Sequence, residues 1–205
     1  MIEFKQFHKA YKGKTVLRIN ELSLKEGVYW LKGCNGAGKS TLLRCMAGLN
    51  PHDGEVLIEG ITIKKDRIQY CKHIRYAEAD PTLPAFLTGD EIVKFYLETG
   101  ACRKDLLDKF LELFEVKSYI GQIIGTFSSG MLKKLSLALV LGSGANVLLL
   151  DEPLITLDTA ATALLLKAIE ELTLQGTTII LTSHQDVEIP GLKAQQLLIE
   201  NQMIA

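Results

Sequence analysis

The 205-residue sequence lacks several features that would assign it to a class at once. Its four cysteines, Cys34, Cys45, Cys71 and Cys102, form no CxxC pair and have no histidine at metal-ligand spacing. We therefore expect free thiols in a reducing compartment. Lys and Arg (23) nearly balance Asp and Glu (24), for a net charge of -1, which argues against nucleic acid as a partner.

Long apolar runs are also scarce. Residues 135–150 carry no charge, but Gly142, Ser143, Gly144 and Asn146 interrupt them, and a spanning helix needs about 20 mostly apolar residues. The run instead predicts the end of a helix, a glycine-rich turn and a buried strand. The N-terminus has charges throughout and no apolar segment, so we expect no secretory signal.

The chain divides into three parts by pattern. The opening third predicts a β-hairpin ("IEFKQFHKAY", "KTVLRI"), a buried strand ("GVYWLKG") and a further strand ("GEVLIEGITI"). The middle predicts helices, one begun by Thr88 and Glu91 at capping-box spacing. The last third alternates helices (about 128–141 and 159–174) with charge-free strands, which is typical of a parallel sheet covered on both faces. Ligands bind beyond the carboxyl ends of such strands, here after Lys32, Leu150 and Thr182.

A glycine-rich loop follows the first buried strand. The sequence "GCNGAGKST" matches GxxxxGK[ST] with a strand before it and a helix after it, and this context predicts nucleotide binding. Its backbone N–H groups would point at phosphate oxygens, Lys39 would bridge the outer phosphates, and Ser40 would ligate Mg²⁺. The predicted ATP-binding residues of the loop are Gly33, Cys34, Asn35, Gly36, Ala37, Gly38, Lys39, Ser40 and Thr41.

Polar residues follow two later strands. In "VLLLDEP", Asp151 is placed to hold the metal and Glu152 to orient or deprotonate an attacking water. Both carboxylates are equally suited to capping the next turn. His184, after "TTIILTS", is placed to hydrogen-bond a γ-phosphate, although a lone histidine is more often structural.

The order of these motifs resembles that of an ATP-binding-cassette (ABC) ATPase along essentially the whole chain. By resemblance, "GCNGAGKST" is the Walker A loop, "VLLLDEP" is Walker B with its catalytic glutamate, "ITLD" is the D-loop ending at Asp158, and His184 is the switch histidine. Tyr11 resembles the aromatic residue that stacks on adenine, with a packed strand tyrosine as the alternative.

The segment "FSSGM" lies where the ABC signature, typically LSGGQ, belongs. Ser128 matches the signature serine and Gly130 its second glycine. A helix N-terminus with a small hydroxyl is an anion site, although Ser128 would also serve as a plain N-cap. The resemblance implies a head-to-tail dimer in which Ser128, Ser129, Gly130 and Asp158 act in trans on ATP held by the other chain.

Two positions depart from the family pattern. Ser129 replaces the first signature glycine and Met131 the glutamine, as in a Ser-x-Gly-Met form of some exporter-type ABC ATPases. The Q-loop glutamine is missing after "HIRYA". Glu78 is the nearest candidate to face Mg²⁺, whereas alignment on Pro81 puts Ala79 at that position.

The resemblance predicts an α/β fold: a P-loop NTPase core with a mostly parallel sheet, an N-terminal antiparallel β subdomain and a helical insert that bears the signature. We expect a single domain, 1–205, with a core at about 1–78 and 145–205 and a helical subdomain at about 79–144.

The expected function is that of the ATP-hydrolysing subunit of an ABC transporter, with ATP and Mg²⁺ as cofactors. By resemblance it pairs with itself or a related ATPase subunit, lies in the cytoplasm and docks on a separate membrane subunit. The segment "TLPAFL" is a candidate for that contact, with packing inside the helical insert as the alternative. The alternatives are a soluble ABC ATPase of an assembly system, such as one for iron–sulfur clusters, and a nucleotide-gated dimer with negligible turnover.

Overall fold

The computed structural model describes residues 1–183, 188–189 and 191–204. Strands β1 (Ile2–Tyr11) and β2 (Lys14–Leu24) pair antiparallel, with Tyr11 opposite Lys14, which confirms the predicted hairpin. Lys12 and Gly13 form its turn at φ values of 49° and 80°, as a two-residue hairpin loop requires. β3 (Val28–Lys32) then enters a second sheet.

The phosphate-loop segment leads into a short helix, α1 (Lys39–Met46). β4 (Asp53–Ile58) and β5 (Ile61–Thr62) complete the N-terminal antiparallel sheet, in the order β2-β1-β4-β5. Helix α2 (Arg67–His73) follows; the sequence analysis did not predict it, although Asp66 caps it by accepting the Gln69 amide at 3.0 Å.

The central sheet contains six strands in the order β10-β9-β3-β8-β7-β6. Within the described residues its neighbouring strands pair in parallel, except β10 and β9, which are antiparallel. Its remaining strands are β6 (Ile74–Ala77), β7 (Val147–Leu150), β8 (Thr178–Thr182), β9 (Gln195–Glu200) and β10 (Met203–Ile204). This mostly parallel sheet beside an antiparallel one confirms the predicted α/β fold class. The carboxyl ends of β3, β8, β7 and β6 are therefore neighbours.

Between β6 and β7 the chain is helical. Its helices are α3 (Gly89–Glu98), α4 (Lys104–Leu113) and α5 (Ser129–Leu141), with 3₁₀ turns at Val116–Ser118 and Ile124–Thr126. The predicted capping box is present, because Thr88 Oγ1 accepts the Glu91 amide at 3.2 Å and Glu91 accepts the Thr88 amide at 2.8 Å. The sixth helix, α6 (Thr159–Leu174), follows β7.

The two faces of the central sheet are buried against different layers. Leu148 and Leu150 of β7 pack in one hydrophobic cluster with α4, α5 and α6, whereas Val147 and Leu149 pack in another with α1 and the N-terminal sheet. Residues 135–150 divide between α5 and β7, as predicted. None of the helices in the described ranges is long and apolar enough to cross a membrane.

Candidate nucleotide site

The loop between β3 and α1 is shaped for phosphate. Gly36 and Gly38 adopt φ values of 79° and 105°, and a Cβ on Gly38 would lie 3.0 Å from Val16 Cγ1. Glycine is therefore needed at position 38 for both its backbone angle and its close packing. No described side chain caps the N-terminus of α1, which leaves its first backbone amides available to an anion. The Lys39 ammonium is buried and donates to the carbonyls of Gly33 (2.8 Å) and Cys34 (3.3 Å).

This loop opens into a cleft of about 540 Å³, lined by residues 35–41 together with Tyr11, Val16 and Glu152. Tyr11 also lines an adjoining cavity of about 720 Å³. The Tyr11 ring is held from two sides, because Lys9 Nζ lies 4.3 Å from its centroid and Asn50 Nδ2 donates to its hydroxyl at 3.1 Å. Nearly half of the Tyr11 surface is exposed, which leaves ring area for stacking.

Asp151 is held by hydroxyl groups from three directions. Its Oδ1 accepts from Ser40 Oγ at 3.0 Å and from Thr182 Oγ1 at 2.8 Å, and its Oδ2 accepts from Tyr76 Oη at 3.0 Å. Ser40 was predicted from the sequence as a Mg²⁺ ligand. Thr182 and Tyr76 were not among the predicted site residues. Both lie on the strands that flank β7, and a sheet-order prediction is the signal that would have found them.

The Ser40 and Asp151 oxygens fit a magnesium ion. Mg²⁺ binds oxygen ligands octahedrally at about 2.0–2.1 Å, so neighbouring ligands lie about 3 Å apart. Ser40 Oγ and Asp151 Oδ1 are 3.0 Å apart. Among the described residues no group of three His, Cys, Asp or Glu side chains could hold a metal.

Glu152 adopts a left-handed backbone conformation with φ at 44°. Such a conformation is strained for a residue with a side chain and persists only where its surroundings fix it. The Glu152 amide donates to Thr182 Oγ1 at 2.8 Å, and the side chain lines the phosphate-loop cleft. Thr182 therefore fixes the backbone of Glu152 and the carboxylate of Asp151 at once.

Glu78 was predicted to face Mg²⁺, and in the structure its carboxylate has a basic side chain as partner. Its carboxylate lies 3.8 Å from Arg44 Nη2, and Arg44 Nε also donates to Tyr76 Oη at 3.4 Å. The Asp151 carboxylate accepts hydrogen bonds from Ser40, Thr182 and Tyr76. The assignment of Glu78 as a metal ligand stays a prediction.

The signature residues lie apart from this cleft. Ser128 is the N-cap of α5, with its Oγ accepting the Met131 amide at 3.2 Å, and both Ser128 and Ser129 are exposed. Gly130 packs on the D-loop segment, since a Cβ there would lie 3.1 Å from the Thr156 carbonyl. None of the signature residues lines the described part of the phosphate-loop cleft.

Asp158 lies beside the same helix end. It caps α6 by accepting the Ala161 amide at 2.7 Å, and it accepts from Lys134 Nζ of α5 at 2.9 Å. The Ala161 amide and the Lys134 ammonium hold the pKa of the Asp158 carboxyl below its usual value. The structure thus brings the predicted trans residues together. His184, the predicted switch histidine, lies outside the described residues.

Comparisons with known proteins identify the family to which the chain belongs. The family model described as "ABC transporter" matches residues 17–155. The cytochrome c biogenesis ATP-binding export protein CcmA of Legionella pneumophila is 36% identical over 166 residues, which cover 80% of this chain and 82% of that protein. This chain belongs to the ABC transporter family. It is an ATP-binding, ATP-hydrolysing subunit of that family.

Solved structures share the fold. An ATP-binding subunit of an ABC transporter superposes with a TM-score of 0.90 at 23% identity, covering 100% of this chain and 88% of that one. A dimeric post-hydrolysis state of the ATP-binding cassette MJ0796, bound to ADP and phosphate, gives a TM-score of 0.83 at 23% identity and covers 100% and 96% of the two chains.

Proposed function

We propose that the ATPase works as a head-to-tail dimer with two ATP molecules held between the chains. The observation that carries this proposal is the separation within one chain: the phosphate loop, Asp151 and Glu152 share one cleft, while the exposed Ser128 and Ser129 do not line it. A second copy would supply its signature to the open side of that cleft. The dimeric state of the similar cassette MJ0796 supports this arrangement.

Each residue then has a defined task in hydrolysis. The α1 amides and Lys39 bind the phosphates, and Tyr11 stacks on adenine. Ser40 and Asp151 would hold Mg²⁺, which offsets phosphate charge when bound. Glu152 orients the attacking water and accepts its proton. His184 would donate to the γ-phosphate.

The signature supplies charge stabilisation from the other chain. The α5 N-terminus presents backbone N–H groups and the Ser128 and Ser129 hydroxyls, which suit an anion. Asp158 and Lys134 pair beside it and hold the α5 end against α6. ATP would therefore join the two chains, and loss of the γ-phosphate would release them.

Combining two substitutions separates the role of Ser128 at the partner's ATP from its role as a helix cap. Glu152→Gln should bind ATP, lose turnover and accumulate as a dimer in light scattering. Adding Ser128→Asp keeps a good N-cap but places a negative charge toward the partner's triphosphate, so we expect monomer with an unchanged melting temperature. A dimer that forms equally well with Ser128→Asp would contradict the proposal. The alternative of a dimer with negligible turnover is excluded if the unmodified chain has a higher steady-state ATPase rate than Glu152→Gln.

We further propose that the helical region at about 79–144 forms a subdomain that docks on a membrane subunit at the cytoplasmic face. A cleft of about 300 Å³ lies between this region and the core, lined among others by Leu49, Tyr76, Leu83 and Tyr96. Phe86 follows the lining residue Leu83 by three positions in the sequence and is 80% exposed. Exposed aromatic residues beside a groove are typical of interaction sites. The name of the Legionella relative, an export protein, favours export over the alternative of a soluble assembly ATPase.

This docking proposal is testable by co-expression with a multi-span membrane protein encoded beside the gene. We expect Phe86→Ser to lower the yield of the co-purified complex while the Glu152→Gln background still dimerises with ATP. Leu174→Ser, at a 72% exposed apolar position at the end of α6, is the matched control. Equal yields from both variants would exclude Phe86 from the contact.

A further inference from the structure

Lys133 is a charged side chain buried within the helical region. It lies on α5, five residues after Ser128, and only 1% of it is exposed. A buried ammonium is costly unless its protons are hydrogen-bonded. Burial lowers the pKa of Lys133 to about 8, against the opposing effect of Asp151, Asp80 and Glu152. So costly a group calls for a specific set of contacts.

The contacts of Lys133 join three separate segments. Its Nζ donates to the carbonyls of Ala79 at 2.8 Å, Glu78 at 3.0 Å and Asp151 at 3.4 Å. An ammonium has three protons, and this geometry gives each one an acceptor. The side chain thus ties α5 to the loop after β6 and to the end of β7.

These acceptors are backbone atoms of the chain's own ATP site. Moving the Asp151 carbonyl moves the Asp151 carboxylate and the following Glu152, whose amide is itself fixed by Thr182. At the start of the same helix, the exposed Ser128 serves as the N-cap. One rigid helix therefore connects the signature offered to a partner with the carboxylates that serve the chain's own nucleotide.

We propose that Lys133 is a positioning residue that couples the two ATP sites of the dimer, by linking the signature of α5 to the Asp151–Glu152 segment of the same chain. The proposal rests on the head-to-tail dimer described above. When α5 is displaced by closure on the partner's ATP, the three hydrogen bonds of Lys133 carry that displacement to the carboxylates. The Lys133 ammonium donates to backbone carbonyls and does not line the described part of the phosphate-loop cleft, so we assign it an indirect effect on turnover.

Mixed dimers with a single working site test this coupling. One chain is unmodified and its partner carries Glu152→Gln, so hydrolysis uses the Walker residues of the first chain and the signature of the second. Lys133→Met keeps an unbranched side chain of similar length but removes all donors, and it is placed in either chain in turn. Lys117→Met, which removes an exposed lysine paired with Glu112 at 3.3 Å, is the control for lost charge.

We expect Lys133→Met to lower kcat about tenfold in each of the two placements, within the range reported for coupling residues, with unchanged ATP affinity of the monomer. An effect in one placement alone would show a local role and overturn the proposal, as would no effect in either. A parallel loss of ATP affinity or melting temperature would indicate a structural lesion and also overturn it.

Two further measurements keep the outcomes separate. If Lys133→Met does not fold, Lys133→Gln, which retains an amide donor, is tested in the same two placements with a smaller loss expected in both. If the mixed dimer of unmodified and Glu152→Gln chains does not assemble with ATP, the head-to-tail function itself fails. If the mixed dimer assembles and hydrolyses ATP but its kcat does not change with Lys133→Met, only the coupling proposal fails.

Discussion

The Thr182 hydroxyl contacts both Asp151 and Glu152, the two carboxylate residues to which we assign roles in hydrolysis. It is completely buried, donates to Asp151 Oδ1 at 2.8 Å and accepts the Glu152 amide at 2.8 Å. Thr182→Val is nearly isosteric and deletes both hydrogen bonds. The change therefore tests the polar contacts of this side chain without creating a cavity.

The size of the effect follows from these two bonds. A hydrogen bond to a charged group contributes about 1.5–3 kcal/mol, and a buried amide left without a partner costs about 1–3 kcal/mol. We expect about 3–5 kcal/mol of lost stability. Ser40 and Tyr76 still hold the Asp151 carboxylate, so only part of the loss falls on catalysis. Outer contacts to metal ligands are worth about 10- to 100-fold in activity, and we expect a loss of that size in kcat.

The assay compares steady-state ATPase rates and the binding of a fluorescent ATP analogue without Mg²⁺. We expect Thr182→Val to lose turnover with metal-free nucleotide affinity unchanged, and Thr182→Ser, which keeps the hydroxyl, to recover most of it. Thr178→Val makes the same change at an equally buried position on β8 and should stay near the unmodified rate. A Thr182→Val enzyme within twofold of the unmodified rate would refute the reasoning.

Two other predictions concern single side chains of the site. Tyr76→Phe removes one donor from the Asp151 carboxylate and should raise the Mg²⁺ concentration needed for half-maximal ATPase several-fold; Tyr29→Phe, which loses a bond of equal length (3.0 Å) to a carbonyl, should leave it unchanged. Alkylation at pH 8, mapped by mass spectrometry, should modify the exposed Cys34 and be blocked by ATP. Cys45 should stay unmodified, because burial raises the pKa of its thiol to about 11; its prompt alkylation would contradict the described packing.

The sequence sufficed where the chemistry is local. The phosphate loop, the helix that starts at Ser128 and the capping box of α3 each depend on spacing within about ten residues, and the structure has loop and helices at those places. Local spacing also placed Asp151 after a buried strand. Its contact with Ser40 additionally needed the rule that neighbouring parallel strands end at one edge.

The residues that were missed depend on which strands are neighbours. Tyr76 and Thr182 reach Asp151 only because β6 and β8 flank β7, an order that a chain of parallel strands does not reveal. In the sequence, Lys133 is one of two adjacent lysines and was not among the predicted site residues. Its burial follows from the packing of α5 against the loop after β6, which no periodicity encodes.

The two halves of the proposed ATP site are each organised before they meet. In one chain, three hydroxyls orient Asp151 and a buried threonine fixes the backbone of Glu152. Outside the phosphate-loop cleft, the N-cap of α5 and the Lys134–Asp158 pair hold the signature segment in place. Preorganised groups need little rearrangement when charge develops, so they stabilise a transition state more than mobile groups do. The main free-energy cost of joining the two halves is then the lost translational and rotational entropy of one chain relative to the other. Contacts of one triphosphate with both chains would offset that cost. Cleavage of the triphosphate would remove part of those contacts and so favour separation of the chains.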